Sequence, residues 1–89
     1  MSETETTRIL VVDDEPSITD AVATALRYEG FEAREAATAR AARSAIDEFE
    51  PHLIVLDVML PDRDGLTLAR GLRDDGNRTP VIFLTAKDA

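Results

Sequence analysis

Short aliphatic runs alternate along this chain with segments of helical period, and two of those runs end in acid. Ile9-Leu10-Val11-Val12 runs into Asp13-Asp14, and Leu53-Ile54-Val55-Leu56 runs into Asp57. Runs this apolar read as strands covered on both faces. Helical segments between them call for parallel strands joined by crossovers. A carboxylate ending a buried strand is costly to desolvate unless its site needs it. Three of them converging at one sheet edge would repel by roughly 3 kcal/mol per pair at about 5 Å and an effective dielectric of about 20. Such a cluster wants a divalent cation or raised pKa values.

Read along the chain, residues 1–7 are polar and acidic and form an expected flexible leader, ahead of a single domain over 8–89. Arg8–Val12 is the first strand. Pro16 suits the first turn of a helix in which Ile18, Val22, Ala25 and Leu26 recur at helical spacing, and Gly30 closes it. Phe31–Ala36 is a short polar strand expected at an edge. Thr38 caps a second helix with Ala42, Ala45, Ile46 and Phe49 on one stripe, and Pro51 stops it. His52–Asp57 is the third strand, followed by the loop Leu60-Pro61-Asp62-Arg63-Asp64-Gly65. Leu66, Leu68, Ala69 and Leu72 are the expected inward residues of a third helix, which ends near Asp75-Gly76-Asn77. Pro80–Leu84 is a fourth buried strand. The order βαβαβαβ predicts a doubly wound α/β sheet, parallel, with helices on both faces. Ligands of such sheets bind beyond the carboxyl ends of the strands, where Asp13, Asp14 and Asp57 fall.

Composition narrows the function. At 89 residues the chain makes one small domain that buries roughly two-thirds of its unfolded surface. A net charge of −8 argues against direct binding of nucleic acid or acidic membranes by this segment. The absence of cysteine excludes thiol chemistry and disulfides. No apolar run approaches the ~20 residues that span a bilayer, and no signal-peptide core is visible, so a cytoplasmic location is expected.

The acids also define a chemistry. Asp14 and Asp57 can give two hard oxygen ligands to Mg²⁺, with a backbone carbonyl and waters completing the octahedron, while Asp13 holds one of the waters. One aspartate oxygen then stays free as a nucleophile toward a phosphoryl donor, and Thr85 at the end of the fourth strand can hydrogen-bond a phosphoryl oxygen. Positioning and charge neutralisation carry most of the catalysis in such a site. Each residue also has a plain structural role to set against this. Asp13-Asp14 alone would serve as a solvated turn and helix cap, and Thr85 alone as a strand end. His52 has no partner at catalytic spacing and reads as structural. Asp62 and Asp64 read as loop acids, with Asp64-Gly65 serving turn chemistry. Ser17 and Ser44 lack a nearby base, and Lys87 reads as a solvated surface residue.

In order and separation, Val11-Val12-Asp13-Asp14-Glu15-Pro16, Leu56-Asp57-Val58-Met59-Leu60-Pro61-Asp62-Arg63-Asp64-Gly65 and Pro80-Val81-Ile82-Phe83-Leu84-Thr85-Ala86 resemble the receiver domain of bacterial two-component response regulators. The resemblance runs from Arg8 to Ala89. It implies a flavodoxin-like fold with strand order 2-1-3-4, and Asp57 as phosphoacceptor. It also implies Asp13 and Asp14 as the Mg²⁺-binding pair, the Met59 carbonyl as backbone ligand, and Thr85 as the switch hydroxyl. Ala86 is the small residue that leaves the site accessible, and Pro61 and Gly65 shape the loop. The implied partners are a sensor histidine kinase and an output domain, and the style of the loop is similar to receivers of winged-helix transcription regulators. Met59 and Lys87 flank the path of an attacking water, so a bulky Met59 is expected to slow hydrolysis of the phosphoryl group.

The pattern departs from the family at its end. Receivers continue through a fourth helix, a fifth strand bearing an aromatic switch residue and a lysine, and a fifth helix, which are absent here. Lys87 lies too close to Thr85 to take the lysine's role. A receiver shortened in this way is expected to be marginal or aggregation-prone alone, as a piece of a longer regulator, with a homodimer or domain-swapped oligomer as the alternative. Two other functions compete with phosphoacceptance. A phosphorylation-independent interaction domain would keep the fold without using the acids. A Mg²⁺-dependent aspartyl phosphohydrolase usually has a second acid two residues after its nucleophile, where this chain has Met59. A flavin site lacks a phosphate-cradling loop after the first strand.

Overall fold

A computed structural model describes residues 6–84. Its elements are β1 (Arg8–Val12), α1 (Pro16–Tyr28), β2 (Glu32–Ala36), α2 (Ala39–Phe49), β3 (Leu53–Asp57), α3 (Gly65–Asp74) and β4 (Val81–Leu84). The four strands form one sheet in the order β2-β1-β3-β4, and every pairing is parallel. The α/β class, the strand order and the element sequence expected above are all present. The backbone ladder begins just before β1, where the Glu32 amide donates to the Thr7 carbonyl at 2.9 Å.

Strand alternation divides the apolar residues between two faces. Leu10, Val12, Ile54 and Leu56 pack with Ala42 and Ile46 of α2 and Leu68 and Leu72 of α3, all buried. Ile9 and Val11 face the other side, where α1 lies against β1 and β2 and buries Thr19 and Ala23. The apolar repeat of α1 therefore faces the sheet only in part. Ile18 and Ala25 are exposed, and the short side chains of Thr19 and Ala23 make the close contact. Leu66 also departs from expectation. One position into α3, it points outward and is exposed, while Leu68 and Leu72, one turn apart, face the sheet. Among the described residues β4 is the outermost strand, with Ile82 54% exposed and Phe83 also open to solvent, as expected of a receiver shortened before its fifth strand.

Local chemistry sets the helix ends. Thr38 caps α2 by accepting from the Ala41 amide at 3.0 Å. At the other end Glu50 adopts a left-handed conformation (φ 51°) before Pro51. Asparagine or glycine is commoner there. Arg8 compensates: its Nε donates to the Phe49 carbonyl at 2.8 Å and its Nη2 to the Glu50 carbonyl at 2.8 Å, satisfying acceptors that the helix leaves open. His52 is structural, as expected. Its Nδ1 accepts from the Arg8 amide at 2.9 Å at the amino end of the sheet, opposite the acidic end. Gly30 and Gly76 take positive φ after α1 and α3.

The packing yields a contrast measurable by denaturant unfolding. Leu10→Ala, at a fully buried site facing α2 and α3, should cost about 3 kcal/mol through lost burial and a residual cavity. Tyr28→Ala, at a residue 88% exposed, should change stability by less than about 0.5 kcal/mol.

Candidate functional site

Register assembles the site. Val12 pairs with Leu56 across the parallel β1–β3 ladder, so Asp13 and Asp57, each next in sequence, emerge at the same edge. Asp14 follows Asp13 into the turn before α1. Carboxylate oxygens of Asp13, Asp14 and Asp57 come within 4.8 Å of one another. Their environments differ: Asp13 is 6% exposed, Asp57 is half-buried and Asp14 is exposed. The structure thus brings together the three acids singled out from sequence. Thr85, Ala86 and Lys87 lie outside the described residues.

Asp13 is the most constrained of the three. Its backbone amide donates to the Ala36 carbonyl at 3.1 Å, and its Oδ1 accepts from the Glu15 amide at 2.9 Å, just ahead of Pro16. Burial raises the Asp13 pKa, the Glu15 amide partly opposes that, and the charges of Asp57, Asp14 and Glu15 raise it further. Because the folded-state value lies above the ordinary one, the fold is favoured with Asp13 protonated. That advantage is lost as pH rises through the carboxylate range. A cation would reverse the balance. Three hard oxygen donors converging on one point, one of them desolvated, fit Mg²⁺ better than a softer metal.

The loop from β3 to α3 closes over the end of Asp57. The Gly65 amide donates to the Val58 carbonyl at 2.7 Å, and Met59 and Asp64 form an isolated antiparallel bridge. The Met59 amide approaches Asp57 Oδ1 at 3.3 Å, and its side chain stands in solvent, 69% exposed. Glycine at 65 is dictated by contact: a Cβ there would lie 2.3 Å from the Asp57 carbonyl oxygen and 3.0 Å from Val58 Cα. Asp64 does more than turn chemistry, since it caps α3 by accepting from the Leu66 amide at 2.8 Å.

Asp62 has a role that no local pattern announces. Its Oδ1 accepts from the Ala39 amide at 2.8 Å and its Oδ2 from the Arg40 amide at 3.0 Å, at the amino end of α2. These two donors, Ala39 foremost, hold its pKa below the ordinary carboxylate value. The contact spans more than twenty positions in sequence, so only the folded topology reveals it.

Matching against known families identifies residues 9–89 as a response regulator receiver domain. The chain belongs to that family. Among curated relatives, the transcriptional regulatory protein TrcR of Mycobacterium tuberculosis is 45% identical over 82 residues, covering 92% of this chain and 32% of TrcR. The DNA-binding response regulator MtrA of Mycolicibacterium smegmatis is 42% identical over 80 residues, covering 90% of this chain and 35% of its own length. The chain thus spans about a third of these relatives. Among solved structures, the BeF3-activated N-terminal receiver domain of Klebsiella pneumoniae RstA superposes with a TM-score of 0.84 at 32% identity, covering 93% of this chain and 70% of that one. Chemotaxis response regulator CheY4 of Vibrio cholerae gives 0.88 at 28% identity, covering 96% and 72%.

Two substitutions probe the site's energetics. Asp13→Asn keeps an oxygen for the Glu15 amide and removes only charge. In Mg²⁺-free buffer near neutral pH it should stabilise the fold by about 1 kcal/mol after solvent screening, which thermal unfolding would read as a rise of roughly 4–8 °C. Gly65→Ala must push the loop off the β3 terminus and should destabilise by about 2 kcal/mol in the same assay.

Proposed function

We propose that Asp57 is a phosphoacceptor, taking a phosphoryl group from the phosphohistidine of a sensor histidine kinase. The observation that carries this is the convergence of Asp13, Asp14 and Asp57 within 4.8 Å at the open carboxyl edge of the sheet. An Asp57 carboxylate oxygen attacks phosphorus, the phosphorus–nitrogen bond breaks, and the imidazole leaves with the electron pair and takes up a proton. Asp57 is then an acyl phosphate. Asp13, Asp14, Asp57 and the Met59 carbonyl would hold Mg²⁺, which when bound neutralises the charge gathered between carboxylates and phosphoryl oxygens. Without that neutralisation, a dianionic phosphoryl group would meet three carboxylates.

Thr85 is the proposed switch hydroxyl, one residue beyond the end of β4. The chain is not a metabolic enzyme in this reading. Its chemistry is confined to its own phosphorylation and dephosphorylation, and exposed Met59 beside Asp57 slows attack by water on the acyl phosphate. Two of the relatives carry names that state transcriptional regulation or DNA binding. By similarity, the phosphoryl signal passes to a DNA-binding output domain, and the pair acts in the cytoplasm. No described helix is long and apolar enough to cross a membrane, and the net charge of −8 makes this segment itself a poor ligand for nucleic acid.

Incubation with acetyl phosphate and Mg²⁺, followed by intact mass measurement, tests the reading. The wild-type chain should gain one phosphoryl group that is lost in base. Asp57→Ala should gain none, and omission of Mg²⁺ should suppress the gain. An equal gain in Asp57→Ala would place the phosphoryl group elsewhere and defeat the proposal.

A further inference from the structure

We propose that Asp62 is a positioning residue for the phosphoacceptor site, its carboxylate latching the β3–α3 loop onto the amino end of α2 so that the loop keeps its shape beside Asp57. This rests on the reading of Asp57 given above and adds to it a residue outside the acidic cluster. The latch is bidentate and shared with Thr38. Of the open amides in the first turn of α2, Thr38 takes that of Ala41, while Asp62 takes those of Ala39 and Arg40. Thr38 belongs to the approach to the helix itself. Asp62 arrives from the loop, so its two hydrogen bonds fix one element against another. A carboxylate at a helix amino end also sits favourably in the field of the helix.

From Asp62 a short path leads to the site. Asp62 lies between Met59 and Asp64, which bridge one another, and the loop is closed beneath them by the Gly65 amide on the Val58 carbonyl. Met59 in turn places its amide toward Asp57 Oδ1. Leu60 packs against the core from the inner side of the loop, leaving Asp62 to hold its outer side by hydrogen bonds. With the latch open, the Met59 backbone would lose one of the restraints that orient it beside Asp57. A carboxylate is ionised at neutral pH and the two amide donors lower its pKa further, so the latch is closed under those conditions and weakens only as pH falls below the ordinary carboxylate range. Arg63 and Arg40 are the cationic residues nearest to it in sequence and contact, and Arg43 lines the same groove between α2 and α3.

The test is Mg²⁺ titration of the chain and three variants, followed by calorimetry. Asp62→Ala should weaken Mg²⁺ binding by about three-fold, less than the roughly ten-fold cost of losing a direct partner of a metal ligand, because Asp62 acts through the loop. Asp62→Asn keeps one acceptor oxygen and should fall between the two. Thr38→Ala removes the other cap of α2 without touching the loop, so it should lower stability while leaving Mg²⁺ affinity unchanged. Equal Mg²⁺ affinity in wild type and Asp62→Ala would overturn the proposal, as would an equal loss in Thr38→Ala. If wild type binds no Mg²⁺, the reading of Asp57 fails separately and amide hydrogen exchange decides the latch. Faster exchange at Met59 and Gly65 in Asp62→Ala than in Thr38→Ala supports it, and equal exchange overturns it.

Discussion

The parallel register between β1 and β3 is the constraint on which the acidic end of this molecule depends. Val12 opposite Leu56 means that each strand spends its last apolar residue at the same level, and the acids follow side by side. A slip of one residue would reverse the faces of a strand and carry Leu10, Val12, Ile54 or Leu56 out of the core they share with α2 and α3. Burial of that core therefore enforces the proximity of Asp13 and Asp57. The repulsion between them is the cost of a geometry that the hydrophobic packing maintains.

That cost falls unevenly. Asp13 is buried and its pKa rises, whereas Asp14 reaches solvent. The Glu15 amide supplies part of the compensation and also starts α1, so one carboxylate belongs both to the helix entry and to the site. The loop after β3 offers a second case of double duty. Asp64 caps α3, Gly65 lets the backbone lie against Asp57, and Asp62 ties the outer side of the loop to α2. Site geometry is thus held by helix caps, which are local and backbone-directed, more than by contacts among the acids themselves.

Much of this was legible in residue order. Aliphatic runs of strand length, helical stripes on Ala42, Ile46, Leu68 and Leu72, and acids at the ends of two runs were enough for a parallel α/β sheet and for the three carboxylates, while the strand order followed from the resemblance to receiver domains. Other features lay out of reach because they depend on what packs where. Leu66 looks like a core residue by spacing, but it faces outward while Leu68 and Leu72, on another side of α3, meet the sheet. Ile18 and Ala25 look like a buried stripe, yet Thr19 and Ala23 make the approach to the sheet. Asp62 reads as a loop acid until the fold carries α2 to it. The helix cap at Asp64, by contrast, is written locally, since an acid just before Gly65 serves a turn and a cap alike.

Helix α2 is held from outside at both ends, by the Asp62 carboxylate on its first amides and by the Arg8 guanidinium on its last carbonyls. Each charge opposes the local sign of the helix field. The two anchors come from different parts of the chain, and together they make the helix a gauge of fixed span. What the two anchors fix is its length. One residue inserted between the anchors would turn the far end by about 100° and lengthen it by about 1.5 Å, so that no rotation of the helix would satisfy both. The eleven-residue span of α2 is in this sense a measured distance between the two ends of the sheet.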